Sequence, residues 1–262
     1  MTATRVGIIG WGRIGQRIAA RLHERTDAPC VVSVLVRPGQ HAPDMPACTD
    51  LATFINAAPD VVVECASAAA LLDYAPTLLA AGIDVMPLSL SAFGARENEA
   101  LLMEIAARGP GRLEIPAGAM GSIGFLAAAR EEGLQSVLFR AANGPVAWGR
   151  TAARDMLDLD AVRTPTVFLR APVRDLARLF PRSLNVSVGV ALAGLGLDRT
   201  QAELTVDPAL TQARFEVEVS AGPGRAVLRV HGNGRPPGAD PVDYTTFSVL
   251  RLLLRRDARI MI

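Results

Sequence analysis

Short apolar runs alternate with amphipathic stretches through the first 118 residues of the chain. Residues 5–22, RVGIIGWGRIGQRIAARL, read as a strand, a glycine turn and a helix with one apolar stripe. PCVVSVLVR (29–37), PDVVVECAS (59–67) and GIDVMPLS (82–89) read as buried strands, AAALLDYAPTLLAAG (68–82) and ARENEALLMEIAARG (95–109) as helices, and GRLEIPAG (111–118) as a fifth strand. Strands that alternate with helices predict α/β architecture, a Rossmann-type doubly wound parallel sheet.

From about residue 134 the pattern changes. LQSVLFRAA, TPTVFLRAP, QAELTVDP, ARFEVEVSAG and RAVLRVHGN follow one another mostly without crossover helices, which predicts a second, α+β domain on a mostly antiparallel sheet. In DPALTQARFEV (207–217) a turn gives way to strict alternation: Phe215, Val217 and Val219 on one face, Arg214, Glu216 and Glu218 on the other. VRDLARLFP (173–181) and SLNVSVGVALAGLG (183–196) are helical, the second apolar nearly all round and so buried on most sides. The reading is a dinucleotide-binding domain over 1–118, a substrate and oligomerisation domain over 119–242, and an amphipathic helix, 243–258, that packs back on either domain or on another subunit.

Composition narrows the function classes. Half of the 262 residues are apolar and the formal net charge is +1, so a large core is expected and no electrostatic footprint for nucleic acid or an anionic membrane is present. The basic residues are all arginine, which excludes Schiff-base chemistry on a lysine. Cys30, Cys48 and Cys65 stand singly and read as small buried hydrophobes, not as a zinc site. The chain enters an apolar run at Val6 without a signal-peptide pattern, and no apolar stretch reaches membrane-spanning length, so a cytoplasmic protein is expected. The apolar 183–196 segment and VLRLLL (249–254) exceed what a small second domain needs to bury, which suggests a homodimer.

Gly10, Gly12 and Gly15 form G-x-G-x-x-G between a strand and a helix, the context that makes this pattern a dinucleotide cradle. Gly10 allows the tight turn, Gly12 lets the backbone approach a pyrophosphate, and Gly15 lets the helix lie close to the strand, with Arg13 and Ile14 between them at the helix mouth. The second strand ends in Arg37, where a NAD site usually has an acidic residue. Arg37 reads either as a partner for the extra phosphate of NADP or as a solvated loop charge, so the expected cofactor is NADP or NAD.

GWGRIG (10–15), VVVECAS (61–67), PAGAMGSIG (116–124) and FPRSLNVSVGVALAGLGLDRT (180–200), with DLDAVRTPTVFLR (158–170) before the last, resemble the L-aspartate dehydrogenase family in order and spacing over nearly the whole chain. The resemblance implies a Rossmann domain joined to an α/β domain whose sheet closes over the nicotinamide. It implies oxidation of L-aspartate with NAD or NADP to an imine that hydrolyses to oxaloacetate and ammonia. It places Ala119 and Asn185 at cofactor-contacting positions, Asn185 also facing substrate; ECAS (64–67), with Cys65 and Ala66, faces the cofactor crevice because ligands bind beyond the carboxyl ends of parallel strands. By its residue type alone, Asn185 reads equally as a helix cap or a satisfied buried amide.

The chain departs from the family where the chemistry lies. The family's motif after the Asp-Pro turn is approximately Asn-x-His, its His catalytic, whereas Ala213 and Phe215 stand here, and phenylalanine neither accepts nor donates a proton. Val242 replaces a basic residue, Asp243 and Tyr244 replace small hydroxyls, Gly124 stands for Asp and Ser91 for Gly. Phe215 and Tyr244 are thus expected beside a bulkier or less acidic substrate, still an amino, imino or oxo acid. His23 and His41 read as solvent-facing, and His231, ending the last strand, as a remote substitute for the missing imidazole. Two functions are open: hydride transfer between a nicotinamide and an amino or imino acid carbon, or a catalytically impaired homologue that binds dinucleotide as a sensor or assembly partner.

Overall fold

The computed structural model describes residues 3–26, 28–181, 184–222, 224–232 and 244–260. The chain forms two compact units, Met1–Gly118 with Thr245–Ile262, and Ala119–Tyr244.

In the first unit the apolar runs become strands β1 (Arg5–Ile9), β2 (Cys30–Leu35), β3 (Ala47–Cys48), β4 (Val61–Glu64) and β5 (Asp84–Pro87), interleaved with α1 (Arg13–His23), α2 (Leu51–Asn56), α3 (Ala68–Ala80) and α4 (Arg96–Arg108). The sheet order is β3-β2-β1-β4-β5 with every pair parallel, the doubly wound topology in which strand order reverses beside β1. Val61, Val62 and Val63 have no exposed surface, as expected of a strand covered on both faces.

The fifth strand differs from the sequence reading. GRLEIPAG does not form one: only Leu113 bridges Val85, through Val85 N–H to the Arg112 carbonyl and Glu114 N–H to the Val85 carbonyl, each 2.8 Å. Pro116, which has no N–H to donate, and Gly118 at φ +59° stop it from extending. The fifth strand of the sheet is instead the two-residue β3, at the opposite edge, paired to Val34 and Leu35.

The second unit contains α5 (Ile123–Glu132), β6 (Leu134–Asn143), α6 (Pro145–Trp148), β7 (Thr166–Pro172), α7 (Val173–Leu179), α8 (Asn185–Ala193), β8 (Gln201–Val206), β9 (Arg214–Ala221) and β10 (Gly224–His231). Its sheet runs β10-β9-β6-β8-β7, antiparallel except for the β6/β8 pair. Alternation along β9 is as the sequence requires. Val217 and Val219 are buried, while Glu216 and Glu218 sit on the other face with Arg140 of β6, at 2.6 and 2.8 Å. After the large desolvation that burial imposes, hydrogen bonds from Arg229 and Arg140 still hold the Glu216 carboxyl below its usual range.

The last helix, α9 (Tyr244–Asp257), returns to the first unit: Val249, Leu250 and Leu253 join the core formed by Val6, Ile8, Ile18, Val34 and Val63. Asp257 accepts from Thr4 N–H and its hydroxyl at 3.1 and 2.6 Å, and Arg256 bridges Asp84 and Glu114. Val188, Val190 and Ala191 of α8 are buried in the second unit. Part of the apolar surplus that suggested a homodimer is thus buried within the units, while Leu192, Leu195, Leu252 and Leu254 stay half-buried. Cys30 also departs from expectation: as the first residue of β2 it is exposed, while Cys48 and Cys65 are half-buried. Among the described residues no helix is long and apolar enough to cross a membrane, and no group of His, Cys, Asp or Glu could hold a metal ion.

Candidate active site

The glycine turn lies where β1 runs into α1. Gly10 takes φ +97°, and a Cβ there would stand 2.9 Å from the Ala66 Cβ and 3.0 Å from its Cα, so the turn and the loop after β4 are in direct contact. Gly10 N–H reaches the Leu35 carbonyl and Cys65 N–H the Ile9 carbonyl, both at 3.0 Å, which brings the carboxyl ends of β1, β2 and β4 together. A Cβ on Gly15 would lie 2.4 Å from the Gly10 carbonyl oxygen; this close approach seats α1 on the strand.

Gly12 caps α1 without a side-chain hydrogen bond, the first turn carries no acidic residue, and the helical ladder starts with Gln16 N–H to the Gly12 carbonyl at 3.0 Å. The N–H groups of Arg13, Ile14 and Gly15 therefore have no acceptor within the helix. A Cβ on Gly12 would meet nothing within 4 Å. An uncapped helix end behind open backbone is what a pyrophosphate needs, so these residues fit a dinucleotide. Arg13 is exposed beside this end and Ile14 half-buried. Arg37 lies exposed past β2, its Nε 3.4 Å from Gln40 Oε1.

Cys65 and Ala66 border the turn. The Cys65 thiol donates to the Ile9 and Gly10 carbonyls at 3.3 and 3.4 Å, and burial, reinforced by the neighbouring Glu64 charge, pushes it up to about 12. It is a protonated donor, not a nucleophile.

Sequence reasoning put the segment 64–67 on the crevice but gave Glu64 no part of its own. This carboxylate ends β4 and is 1% exposed. Its Oε1 accepts from Ala66 N–H at 2.8 Å, Ser67 N–H at 2.9 Å and the Ser89 hydroxyl at 2.9 Å, and its Oε2 from Ser89 N–H at 3.1 Å. Burial pushes its pKa up, with the four donors pulling against that rise. One side chain thus ties together the loops that follow β4 and β5. The available signal was a charged residue closing a run of three valines, because a carboxylate at the end of a fully buried strand must find its partners in the adjoining loops.

In the second unit Phe215 lines a cavity of about 120 Å³ together with Trp148, Leu184, Ala213, Asn143 and Thr151, alanines completing the wall. Phe215 stacks on Phe139, centroids 6.0 Å apart, and the Trp148 ring meets Phe168 and Phe180 edge-on at 5.1 and 6.0 Å. Trp148 Nε1 donates to the Thr205 carbonyl at 2.8 Å, which fixes the indole. Asn185 opens α8 next to Leu184 and is half-buried. The structure therefore brings Leu184, Ala213 and Phe215 to one place, while Asn185, the next residue after Leu184, is not part of the lining. Ala119, half-buried in the turn before α5, and the exposed Tyr244 and Gly124 are not part of this lining. His231 is set opposite Arg214 by the β9/β10 register, which puts it on the face away from Phe215. His23 and His41 are exposed, Ser91 is half-buried, and Val242 and Asp243 lie outside the described residues.

Comparison with known proteins agrees with this geometry. Residues 125–256 match the family "Aspartate dehydrogenase, C-terminal", and residues 10–116 match "Homoserine dehydrogenase, NAD binding domain". L-Aspartate dehydrogenases of Ralstonia pickettii and Cupriavidus necator are 35% and 36% identical to the chain, each alignment covering 96% of it and 97% of the relative. The crystal structure of an aspartate dehydrogenase from Thermotoga maritima has the same fold, with a TM-score of 0.80 at 22% identity over all of both chains. The chain belongs to the L-aspartate dehydrogenase family, and with it to the NAD(P)-dependent amino acid dehydrogenases.

Proposed function

We propose that the chain catalyses reversible oxidative deamination of an amino acid, or the reverse reduction of the corresponding imino acid, with NADP or NAD as hydride carrier. The observation that carries this reading is the open backbone at Gly12 in front of the uncapped α1. When bound, the nicotinamide supplies or takes the hydride. The chain's own part is to hold the pyrophosphate on the N–H groups of Arg13 and Ile14 behind the open backbone of Gly12, with Cys65, Ala66, Ala119 and Asn185 as further cofactor contacts, and to offer Asn185 and Phe215 to the substrate. Tyr244 is a third proposed substrate contact. Phe215 contributes shape and exclusion of water, not proton transfer.

The test is nicotinamide absorbance in mixtures of protein, NADPH or NADH, ammonia and a panel of 2-oxo acids, oxaloacetate included. Turnover of any of them supports the enzyme. Tight cofactor binding with no turnover supports the second reading, a dinucleotide-binding homologue that senses or assembles, for which Phe215 is the specific observation. Phe215→His is expected to raise oxaloacetate turnover about tenfold, a small part of the ~10²- to 10⁴-fold that a positioned acid or base supplies. No gain would show that the surrounding cavity no longer presents a substrate to position 215.

Arg37 is the proposed reader of the NADP phosphate, free to turn from its long contact with Gln40. Arg37→Leu should weaken NADPH binding by about tenfold and leave NADH binding within about twofold, as one charge-assisted contact is lost from one ligand only. Fluorescence titration with both nucleotides measures this, and an equal loss for the two would remove Arg37 from the site. The proposed assembly is a cytoplasmic homodimer; the exposed apolar side chains of Met103, Phe125 and Val227 support association, and light scattering tests it.

A further inference from the structure

The cavity beneath Phe215 carries more information than the absence of an imidazole. Among the described residues, none that lines it bears a charge. Its polar groups are also largely committed. Trp148 Nε1 is bound to the Thr205 carbonyl. The Thr151 hydroxyl donates to the Trp148 carbonyl at 2.7 Å and accepts from Ala153 N–H at 3.2 Å. Asn143 Oδ1 accepts from Gly144 N–H at 3.0 Å, which leaves the Asn143 amide N–H₂ as the side-chain donor on the wall that these bonds do not use.

Such a wall discriminates by charge. A carboxylate needs several donors or a cation to replace its water, and a single amide leaves most of its lone pairs unpaired. A hydrocarbon group needs only shape. The aromatic side chains that give the cavity its shape are held by packing: Phe215 by its stack on Phe139, Trp148 by its hydrogen bond and two edge contacts. At about 120 Å³ the cavity is somewhat smaller than the ~150 Å³ cavity that holds a benzene ring, which suits a short side chain.

We propose that this cavity receives the side chain of the amino or imino acid substrate, and that the side chain is a short, uncharged aliphatic group of the valine or leucine class in place of a second carboxylate. The inference rests on the dehydrogenase reading above and sets its substrate class. Phe215, Trp148 and Leu184 enclose that hydrocarbon group, and the α-carboxylate stays outside this wall.

Two measurements on the full chain test it. In the first, initial rates with ammonium and NADPH or NADH are compared for 3-methyl-2-oxobutanoate, 4-methyl-2-oxopentanoate, phenylpyruvate and oxaloacetate. Either aliphatic acid is expected to exceed oxaloacetate at least tenfold in kcat/KM, and phenylpyruvate to gain on both in the Phe215→Ala chain as the cavity opens. Oxaloacetate equal to or better than both aliphatic acids overturns the proposal. The second needs no turnover: with oxidised dinucleotide present, the same acids are titrated while tryptophan emission is followed, with Trp148→Phe as the control. An aliphatic acid should change the emission in the parent chain but not in the control, at concentrations where oxaloacetate does nothing. That result without turnover of any acid overturns the dehydrogenase reading and leaves the cavity assignment standing. No change with either aliphatic acid overturns the cavity assignment, whatever the enzyme turns over.

Discussion

Gly12→Val is expected to leave the chain folded while abolishing dinucleotide binding, whereas Gly15→Val is expected to unfold the first unit. The two glycines share one turn and differ in what a side chain would meet. Gly12 sits at φ −86° and ψ −172°, an ordinary extended conformation, and a Cβ there touches nothing within 4 Å. Valine at that position faces the open side of the turn, so the melting temperature should stay within about 2 °C, as for surface substitutions in general. The same branched side chain fills the space through which a pyrophosphate reaches the N–H groups of α1, and affinity should fall at least about 100-fold, the scale of losing several charge-assisted hydrogen bonds. At Gly15 the added Cβ lies 2.4 Å from the Gly10 carbonyl oxygen and 3.2 Å from both Cys65 Sγ and Ile8 Cγ2. A backbone oxygen cannot swing aside as a flexible side chain does, so α1 must leave β1, at a cost above about 3 kcal/mol. Thermal unfolding and calorimetric titration of both variants check the contrast. Equal loss of stability at the two positions would make the turn a packing device; normal NADPH affinity in Gly12→Val would place the dinucleotide elsewhere.

The contrast also marks what the sequence could convey. Three spaced glycines between a strand and a helix encode the turn directly, because each spacing answers a geometric need of the backbone. The parallel strands were legible for a related reason: Val61, Val62 and Val63 form an unbroken apolar run because both faces of β4 are covered. The two-residue β3 carries no periodicity, and its place in the sheet follows only from Val34 N–H reaching the Pro46 carbonyl and Val36 N–H the Cys48 carbonyl. For α9 the pattern showed one apolar face but not its destination, which is decided by contacts far away in the chain, such as Thr4 with Asp257. Ile123–Glu132 escaped notice as a helix because its apolar residues do not form a single buried stripe: Leu126 is buried while Phe125 is exposed. In the cavity, Phe215 was legible as one of the inward-facing positions of β9, but Trp148 and Thr151 were not, since their approach to it depends on the fold of the segment between β6 and β7.

Glu64→Ala is expected to destabilise the chain by more than about 3 kcal/mol and to remove dinucleotide binding with it, since four donors would lose their acceptor in a place water scarcely reaches. Glu64→Gln separates the two effects. The amide keeps an oxygen for Ala66, Ser67 and the Ser89 hydroxyl, but its nitrogen faces the Ser89 N–H, donor against donor, across the 3.1 Å that Oε2 now spans. That one conflict costs about 1–3 kcal/mol. A shift of the Cys65–Ala66 turn that follows would act on Gly10, where an added Cβ would lie only 2.9 Å from Ala66. The glutamine chain should fold, melt earlier, and bind NADPH about tenfold more weakly, a loss of the order of one charged hydrogen bond. Because Glu64 acts on the cradle through its loops, the dinucleotide KM should rise while kcat at saturating dinucleotide stays near that of the parent chain. Ser89→Ala, which removes one of the four donors and leaves the carboxylate, should show the same pattern at smaller amplitude. A fall in kcat with an unchanged dinucleotide KM would assign Glu64 to a step other than holding the turn.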